Sequence, residues 1–198
     1  MQSDAGTMIR RATPDDAPVL ARLMNSAGEG LPAWLWSQMA DPGENVMDFG
    51  SRRVAGTDSG FSYKNAHVAE IGGSVVGMLL GYRLDDPYEP GNLDEYPLVI
   101  RPLIELESLA PGSWYVNGIA TLPEVRGRGI GSRLMQLAEQ LCRESGGGDI
   151  SLIVAGANTG AVRLYDRLDF AQVATRPLIP FPGCDHSGDW VLMARTLE

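Results

Sequence analysis

A strand-like apolar segment, Trp114 to Thr121, runs into the glycine turn Leu122-Pro123-Glu124-Val125-Arg126-Gly127-Arg128-Gly129-Ile130-Gly131-Ser132. An amphipathic helical pattern runs out of that turn, from Gly129 to Glu144, with Ile130, Leu134, Leu137, Ala138 and Leu141 as its apolar set. The order strand, glycine turn, helix leaves few folds open. It also has a chemical meaning. Backbone N–H groups at a helix start point outward, and the helix dipole favours an anion there. Arg126 and Arg128 add two permanent cations whose forked donors match phosphate oxygens. The turn is therefore expected to hold a phosphate-bearing cofactor. No Gly-Lys-Ser/Thr follows it, so it is not a P-loop, and its spacing is G-x-G-x-G, which is not the dinucleotide fingerprint.

Read in order, the chain alternates strand and helix patterns. Met8 to Ala12 reads as a first strand. Thr13-Pro14-Asp15-Asp16 reads as a helix start, with Thr13 as cap and two acids facing the dipole. Pro18 lacks an N–H, which moves the regular helix a few residues on. Val19, Leu20, Leu23 and Met24 make its apolar face. Leu31 to Met39 reads as a short helix. Asp41 to Asn65 is polar, with a helical turn near Val46 to Val54, and either walls a pocket or covers the sheet. Ala66 to Ile71 and Val75 to Tyr82, joined by Gly72-Gly73-Ser74, read as a hairpin, with His67 as a structural histidine.

Arg83 to Ser113 is a long acidic insertion. Within it, Leu98 to Leu109 reads as a short helix with Val99, Leu103, Leu106 and Leu109 on one side, its regular part starting at Pro102. A segment this long is either functional or a solvated loop. Further on, Ile150 to Val154 reads as a buried strand and Asn158 to Leu168 as a helix capped by Asn158. Phe170 to Thr175 and Trp190 to Arg195 read as closing strands around a Pro- and Gly-rich loop. With no repeat and no linker, one domain is expected over residues 8–198, preceded by a disordered extension, residues 1–7.

Charge narrows the partners. The chain of 198 residues carries 16 Lys and Arg against 25 Asp and Glu, a formal charge of −9. That argues against nucleic acid, which wants a basic stripe. No apolar run is long enough to span a bilayer, and the polar start has no apolar signal region, so no membrane partner and a cytoplasmic location are expected. Cys142 and Cys184 lack metal-ligand spacing and are read as free thiols, with no metal site.

Arg126-Gly127-Arg128-Gly129-Ile130-Gly131 matches R-x-x-G-x-G and resembles the pyrophosphate-binding signature of the GNAT superfamily of N-acetyltransferases. Ile119 to Glu124 resembles that family's strand and Pro-Glu turn. Asn158, Ala161, Leu164-Tyr165 and Leu168-Asp169-Phe170 resemble its N-x-x-A-x-x-L-Y-x-x-L-G-F run, with Asp169 in place of the usual glycine. Asp tolerates the left-handed backbone better than most residues. Ile9 to Ala17 resembles the first strand and helix. The resemblance implies an α/β (α+β) fold: a single GNAT-like domain whose mixed, mostly antiparallel sheet of about seven strands is flanked by helices. The 83–113 insertion lies largely outside it.

The resemblance also implies a reaction: acetyl-CoA donates an acetyl group to a primary amine, on a small molecule or a peptide, by direct attack of the amine on the thioester. In this reading the backbone of Arg126, Gly127, Arg128, Gly129, Ile130, Gly131 and Ser132 and the arginine side chains hold the pyrophosphate. The strand edge of Ile119, Ala120 and Thr121 holds the pantetheine amides. Asn158 contacts the cofactor, or serves only as a cap. Tyr165 is the acid for the leaving thiolate, or a core aromatic. The strand before the turn carries no carboxylate, so the base lies elsewhere. Glu107 and Glu105 are the candidates, beside a water chain. Tyr115 and Asn117 share one strand face and would orient the acceptor. A homodimer is compatible with this reading. The competing readings are a non-catalytic acyl-CoA-binding sensor or regulator of the same fold, and a nucleotide-binding protein of another class.

Overall fold

The computed structural model describes residues 6–198 of the chain. The expected extension falls mostly outside them, on residues 1–5, while Thr7 already begins a strand. The strands are β1 (Thr7–Arg11), β2 (Ala66–Ile71), β3 (Ser74–Arg83), β4 (Trp114–Thr121), β5 (Asp149–Ala155), β6 (Ala171–Pro177) and β7 (Asp189–Thr196). The helices are α1 (Ala17–Ala27), α2 (Leu31–Ser37), α3 (Val46–Ala55), α4 (Arg101–Glu107), α5 (Ile130–Glu144) and α6 (Thr159–Asp166). The strands form one seven-stranded sheet in the order β1-β2-β3-β4-β5-β7-β6. The pairs β1–β2, β2–β3, β5–β7 and β6–β7 are antiparallel, and β4–β5 is parallel. This is the mixed, mostly antiparallel sheet expected, and its seven strands lie close to the expected positions.

The chain divides into two units. The first runs up to Gly81 and includes Gly118–Ala138. Here α1 starts where Pro18 predicts, after a single 3-10 turn over Pro14–Asp16. Thr13 and Asp16 cap that turn reciprocally, the Thr13 N–H donating to Asp16 Oδ2 at 2.7 Å. Arg10 forks onto the same carboxylate, Nη1 to Oδ2 at 2.7 Å and Nη2 to Oδ1 at 2.9 Å, and reaches Glu70 on β2. One guanidinium thus ties β1, β2 and the head of α1 together, and it holds the Asp16 carboxyl below its usual range. On α1 the buried set is Ala17, Leu20, Ala21, Leu23 and Met24, a stripe at helical spacing that packs with Val68, Met78 and Leu80 of the hairpin. Each fully buried leucine there removes apolar surface worth roughly 2 kcal/mol. The segment read as pocket wall or sheet cover supplies α3, which packs against α1 and α2. Gly50 lets it approach, because a Cβ there would lie 2.3 Å from the Trp36 ring.

The second unit comprises Tyr82–Asn117 and Glu139–Glu198. The whole acidic insertion belongs to it, and it is no bare loop. It contributes α4, which packs on β5, β6 and β7. Val99, Ile104 and Leu106 are buried, but Leu109, expected on the same side, is 48% exposed. The helix ends at Glu107, so Leu109 lies past the last turn and the 3.6-residue period no longer governs it. Ile104 takes its place in the core. Arg176 of β6 clamps α4 through Glu105, Nε to Oε2 at 2.5 Å. A buried hydroxyl pair, Ser113 and Ser151 at 2.7 Å, joins the starts of β4 and β5.

Candidate active site

The glycine turn belongs to the first unit. A 3-10 turn over Pro123–Val125 brings the chain off β4, and Leu122 N–H anchors it to the Val76 carbonyl at 2.8 Å. Gly127 and Gly129 then take φ of 75° and 78°, the left-handed region that only glycine enters at little cost. Gly129 was expected inside the helix. Its positive φ puts it outside, and α5 begins at Ile130, which is buried and pins the first turn. The first helix hydrogen bond runs from Arg133 N–H to the Gly129 carbonyl at 3.1 Å. The N–H groups of Ile130, Gly131 and Ser132 precede that bond, as the first donors of any helix do. Arg126 through Gly129 are exposed, and a Cβ built at Gly127, Gly129 or Gly131 would meet nothing within 4 Å. The turn therefore combines outward donors, two exposed guanidiniums and open space in front of its backbone. These features fit a pyrophosphate group.

The strand ahead of the turn is also informative. β4 pairs with β5 over Trp114–Val116. Ile119, Ala120 and Thr121 continue β4 past the last of those pairs and are half-buried. Gly77 of β3 keeps close company with them, since a Cβ there would lie 3.2 Å from the Ala120 carbonyl oxygen.

Two expected site residues lie on α6 in the second unit. Asn158 caps the helix, its side chain accepting from Ala161 N–H at 3.1 Å. Tyr165 is buried, with its ring 5.9 Å from that of Phe170 at a tilt of 58°. Both the capping and the core-packing roles are thus present, and neither excludes a contact with a cofactor. Asp169 has a φ of 61°, the left-handed conformation foreseen for that position.

The remaining candidates converge in the second unit. Glu107, at the last position of α4, accepts from the Tyr88 hydroxyl at 2.7 Å. The Tyr115 hydroxyl donates to the same carboxylate. Tyr115 itself is buried and packs edge-on against Tyr82, with ring centroids 5.9 Å apart and an interplanar angle of 74°. Asn117 Nδ2 donates to the Tyr82 hydroxyl at 3.2 Å. Glu107, Tyr115 and Asn117, separated by up to ten positions in sequence, thus share one network with Tyr82 and Tyr88. Burial pushes the Glu107 carboxyl above its usual range, against the opposing pull of the two phenols. Burial and the nearby Glu107 charge push Tyr82, Tyr88 and Tyr115 up in turn. Glu105, the other candidate base, is outside this network and paired with Arg176.

Tyr82 and Tyr88 had no sequence signal. One lies next to the end of β3 and the other in a Pro-rich loop, and the docking of α4 on the sheet brings them to Glu107. Other reactive side chains are engaged structurally. His67 is partly buried on β2, and burial together with Arg11 pushes its imidazole below its usual value. Cys142 is buried and Cys184 half-buried, both as free thiols. Among the described residues no group of His, Cys, Asp and Glu is arranged to hold a metal ion, and no helix is long and apolar enough to cross a membrane.

The fold has parallels among known proteins. An agmatine N-acetyltransferase has the same fold, with a TM-score of 0.69 at 19% identity over 97% of this chain and 100% of that one. The Drosophila melanogaster polyamine N-acetyltransferase superposes with a TM-score of 0.66 at 18% identity, over 96% and 100% of the two chains. A Salmonella typhimurium protein solved with its cofactor acetyl-CoA gives 0.59 at 16% identity, over 98% and 95%. At these identities the likeness is one of fold. No curated protein matches the sequence. The model of the acetyltransferase (GNAT) family matches residues 32–170, a stretch that takes in the glycine turn, the Glu107 network and Tyr165. With most of its length matched, the chain belongs to the GNAT family of acetyltransferases.

Proposed function

We propose that the protein is an acetyl-CoA-dependent N-acetyltransferase acting on a primary amine by direct attack on the thioester. The observation that carries this reading is the exposed Arg126–Gly129 turn at the head of α5, within the matched stretch of an acetyltransferase family. Bound acetyl-CoA supplies the activated acetyl group and a thiolate leaving group. Arg126, Arg128 and the backbone N–H groups from Gly127 to Ser132 hold the pyrophosphate. The edge of Ile119, Ala120 and Thr121 receives the pantetheine amides, and Asn158 adds a contact beside its cap. Tyr115 and Asn117 keep the acceptor side in order through their links to Glu107 and Tyr82.

The protons need two groups. An alkylammonium with a pKa near ~10.4 holds its proton at neutral pH, so its nitrogen has no lone pair until a base removes one. Glu107 is that base. Burial lifts its carboxyl toward the working pH, which is what general-base efficiency requires. Glu107 would take the ammonium proton and release it to water, so that the freed amine could form the C–N bond as the C–S bond breaks. The second nitrogen proton would then leave to Glu107, while Tyr165 would give its phenolic proton to the departing sulfur and be reprotonated from water. A group serving only to bind an acyl-CoA has no use for such a carboxylate.

Calorimetric titration with acetyl-CoA, ATP and NAD tests the donor assignment. Acetyl-CoA is expected to bind and the two nucleotides to bind weakly or not at all. Paired Arg126→Ala and Arg128→Ala substitutions are expected to lower acetyl-CoA affinity by about tenfold or more, the loss of charge-assisted contacts. Tight ATP or NAD binding with no acetyl-CoA binding would refute the proposal.

A further inference from the structure

We propose that Glu107, Tyr88 and Tyr82 form the seat of the acceptor's ammonium group, and that the acceptor is an amine with no carboxylate next to its nitrogen. The inference rests on the acetyl-transfer reading and names the substrate class for it.

The first argument is charge. Two other carboxylates of the insertion are matched: Arg176 takes Glu105 and Arg101 takes Asp94 at 2.7 Å. Glu107 accepts from phenols, and among the described residues no cation pairs with it. A partly buried carboxylate with no cation costs free energy, and an incoming ammonium group removes that cost. An ionised carboxylate offers about four lone-pair positions, and Tyr88 occupies one, so an ammonium donor can be added without displacing the tyrosine.

The second argument is the surround. Tyr115 is buried, while Tyr82 and Tyr88 are partly exposed. Aromatic rings beside the carboxylate can add cation–π attraction for an ammonium group in a partly desolvated site. Asn117 donates to the Tyr82 oxygen, so the Tyr82 hydroxyl proton is directed elsewhere.

The third argument concerns what is missing from the network. An α-amino acid brings a carboxylate that needs its own cation. Among the described residues of the surrounding elements, Arg101 and Arg176 are already ion-paired with Asp94 and Glu105, and Arg83 donates to the Ser145 carbonyl at 3.1 Å. An acceptor carboxylate would therefore sit beside Glu107 with like charge and no counterion. The site selects the decarboxylated amine over its parent amino acid, and Tyr88 helps to hold the Glu107 carboxylate that binds it.

The test is equilibrium binding to the full chain, with and without coenzyme A. The probes are pentylamine, phenethylamine and putrescine, each against its α-carboxylated counterpart: norleucine, phenylalanine and ornithine. Pentanol is the neutral control for pentylamine. At least one amine is expected to bind about tenfold or more tightly than its amino acid. Glu107→Gln should erase the preference for pentylamine over pentanol, and Tyr88→Phe should reduce it. Equal or tighter binding of the amino acids, no amine binding by the wild type, or an unchanged preference in Glu107→Gln overturns the proposal. Should a variant fail to fold, the wild-type amine and amino-acid pairs still decide. Acetyl-CoA titration is scored separately, so donor and acceptor readings fail independently.

Discussion

Glu105 and Glu107 stand two residues apart on α4, yet Arg176 Nε donates to the first at 2.5 Å while the second accepts from the Tyr88 hydroxyl at 2.7 Å. A spacing of two turns them to different sides of a helix, so one is spent on clamping β6 and the other faces a network of phenols. Sequence alone offered both as the base. Their surroundings separate them.

The first prediction follows from that separation. A base must be ionised to work, and burial raises the Glu107 carboxyl. Wild-type kcat/KM for an amine should therefore fall as pH drops through that raised value. Glu107→Gln should lower kcat/KM by about a hundredfold or more and abolish the Glu107 contribution to the acid limb. Glu105→Gln should keep the limb in place. Steady-state rates across pH check this, and an unaltered limb in Glu107→Gln would count against the assignment.

The same burial has a cost for stability. With the folded-state value raised, the folded protein binds the Glu107 proton more tightly than the unfolded chain does. Stability is therefore lost as pH rises from the ordinary carboxylate range through the raised value. Glu107→Gln keeps an acceptor for Tyr88 and carries no charge. Its Tm should exceed that of the wild type at about pH 8 and match it at about pH 4, where the native carboxyl is mostly protonated. A variant less stable than the wild type at the higher pH would show that the ionised carboxylate is well compensated.

The turn gives a third prediction. Gly129 has a φ of 78°, and a Cβ there would occupy the open space in front of the turn. Gly129→Ala adds backbone strain of about 1 kcal/mol and bulk on the cofactor side. Acetyl-CoA affinity should fall about tenfold, measured by calorimetry, while the circular dichroism of the variant stays that of the wild type. Unchanged affinity would remove the turn from the binding site.

Asp16 gives a stability test remote from the chemistry. It accepts both forks of Arg10 and the Thr13 N–H. Asp16→Asn should cost about 2 kcal/mol in denaturant unfolding at neutral pH. The Asp16 carboxyl is held below its usual value, so its contribution is complete above the unfolded value and is lost as pH falls toward the folded one. The gap between wild type and variant should therefore shrink in acid. A gap that is constant with pH would contradict the ion-pair account.

Local chemistry made much of the fold legible. Periodicity marked α1 and α5, the Gly72-Gly73 turn marked the β2–β3 hairpin, and Asn158 marked the start of α6. Asp169 adopts the left-handed backbone that its position demands. Where the reading missed, the cause is a boundary or a long-range register. Leu109 lies two residues beyond the end of α4, so the helical period that placed it in the core did not apply. Gly129 reads as helix by pattern and is a cap by conformation. Tyr82 and Tyr88 went unseen because their meeting with Glu107 depends on how α4 docks on the sheet, which no local pattern encodes.

The most direct test is the release of coenzyme A thiol from acetyl-CoA by the purified full chain, followed over a panel of primary amines and their amino-acid counterparts. Thiol release that depends on an amine and yields one acetylated amine per thiol is the predicted result. Bound acetyl-CoA with no amine-dependent release across the panel would contradict the central claim.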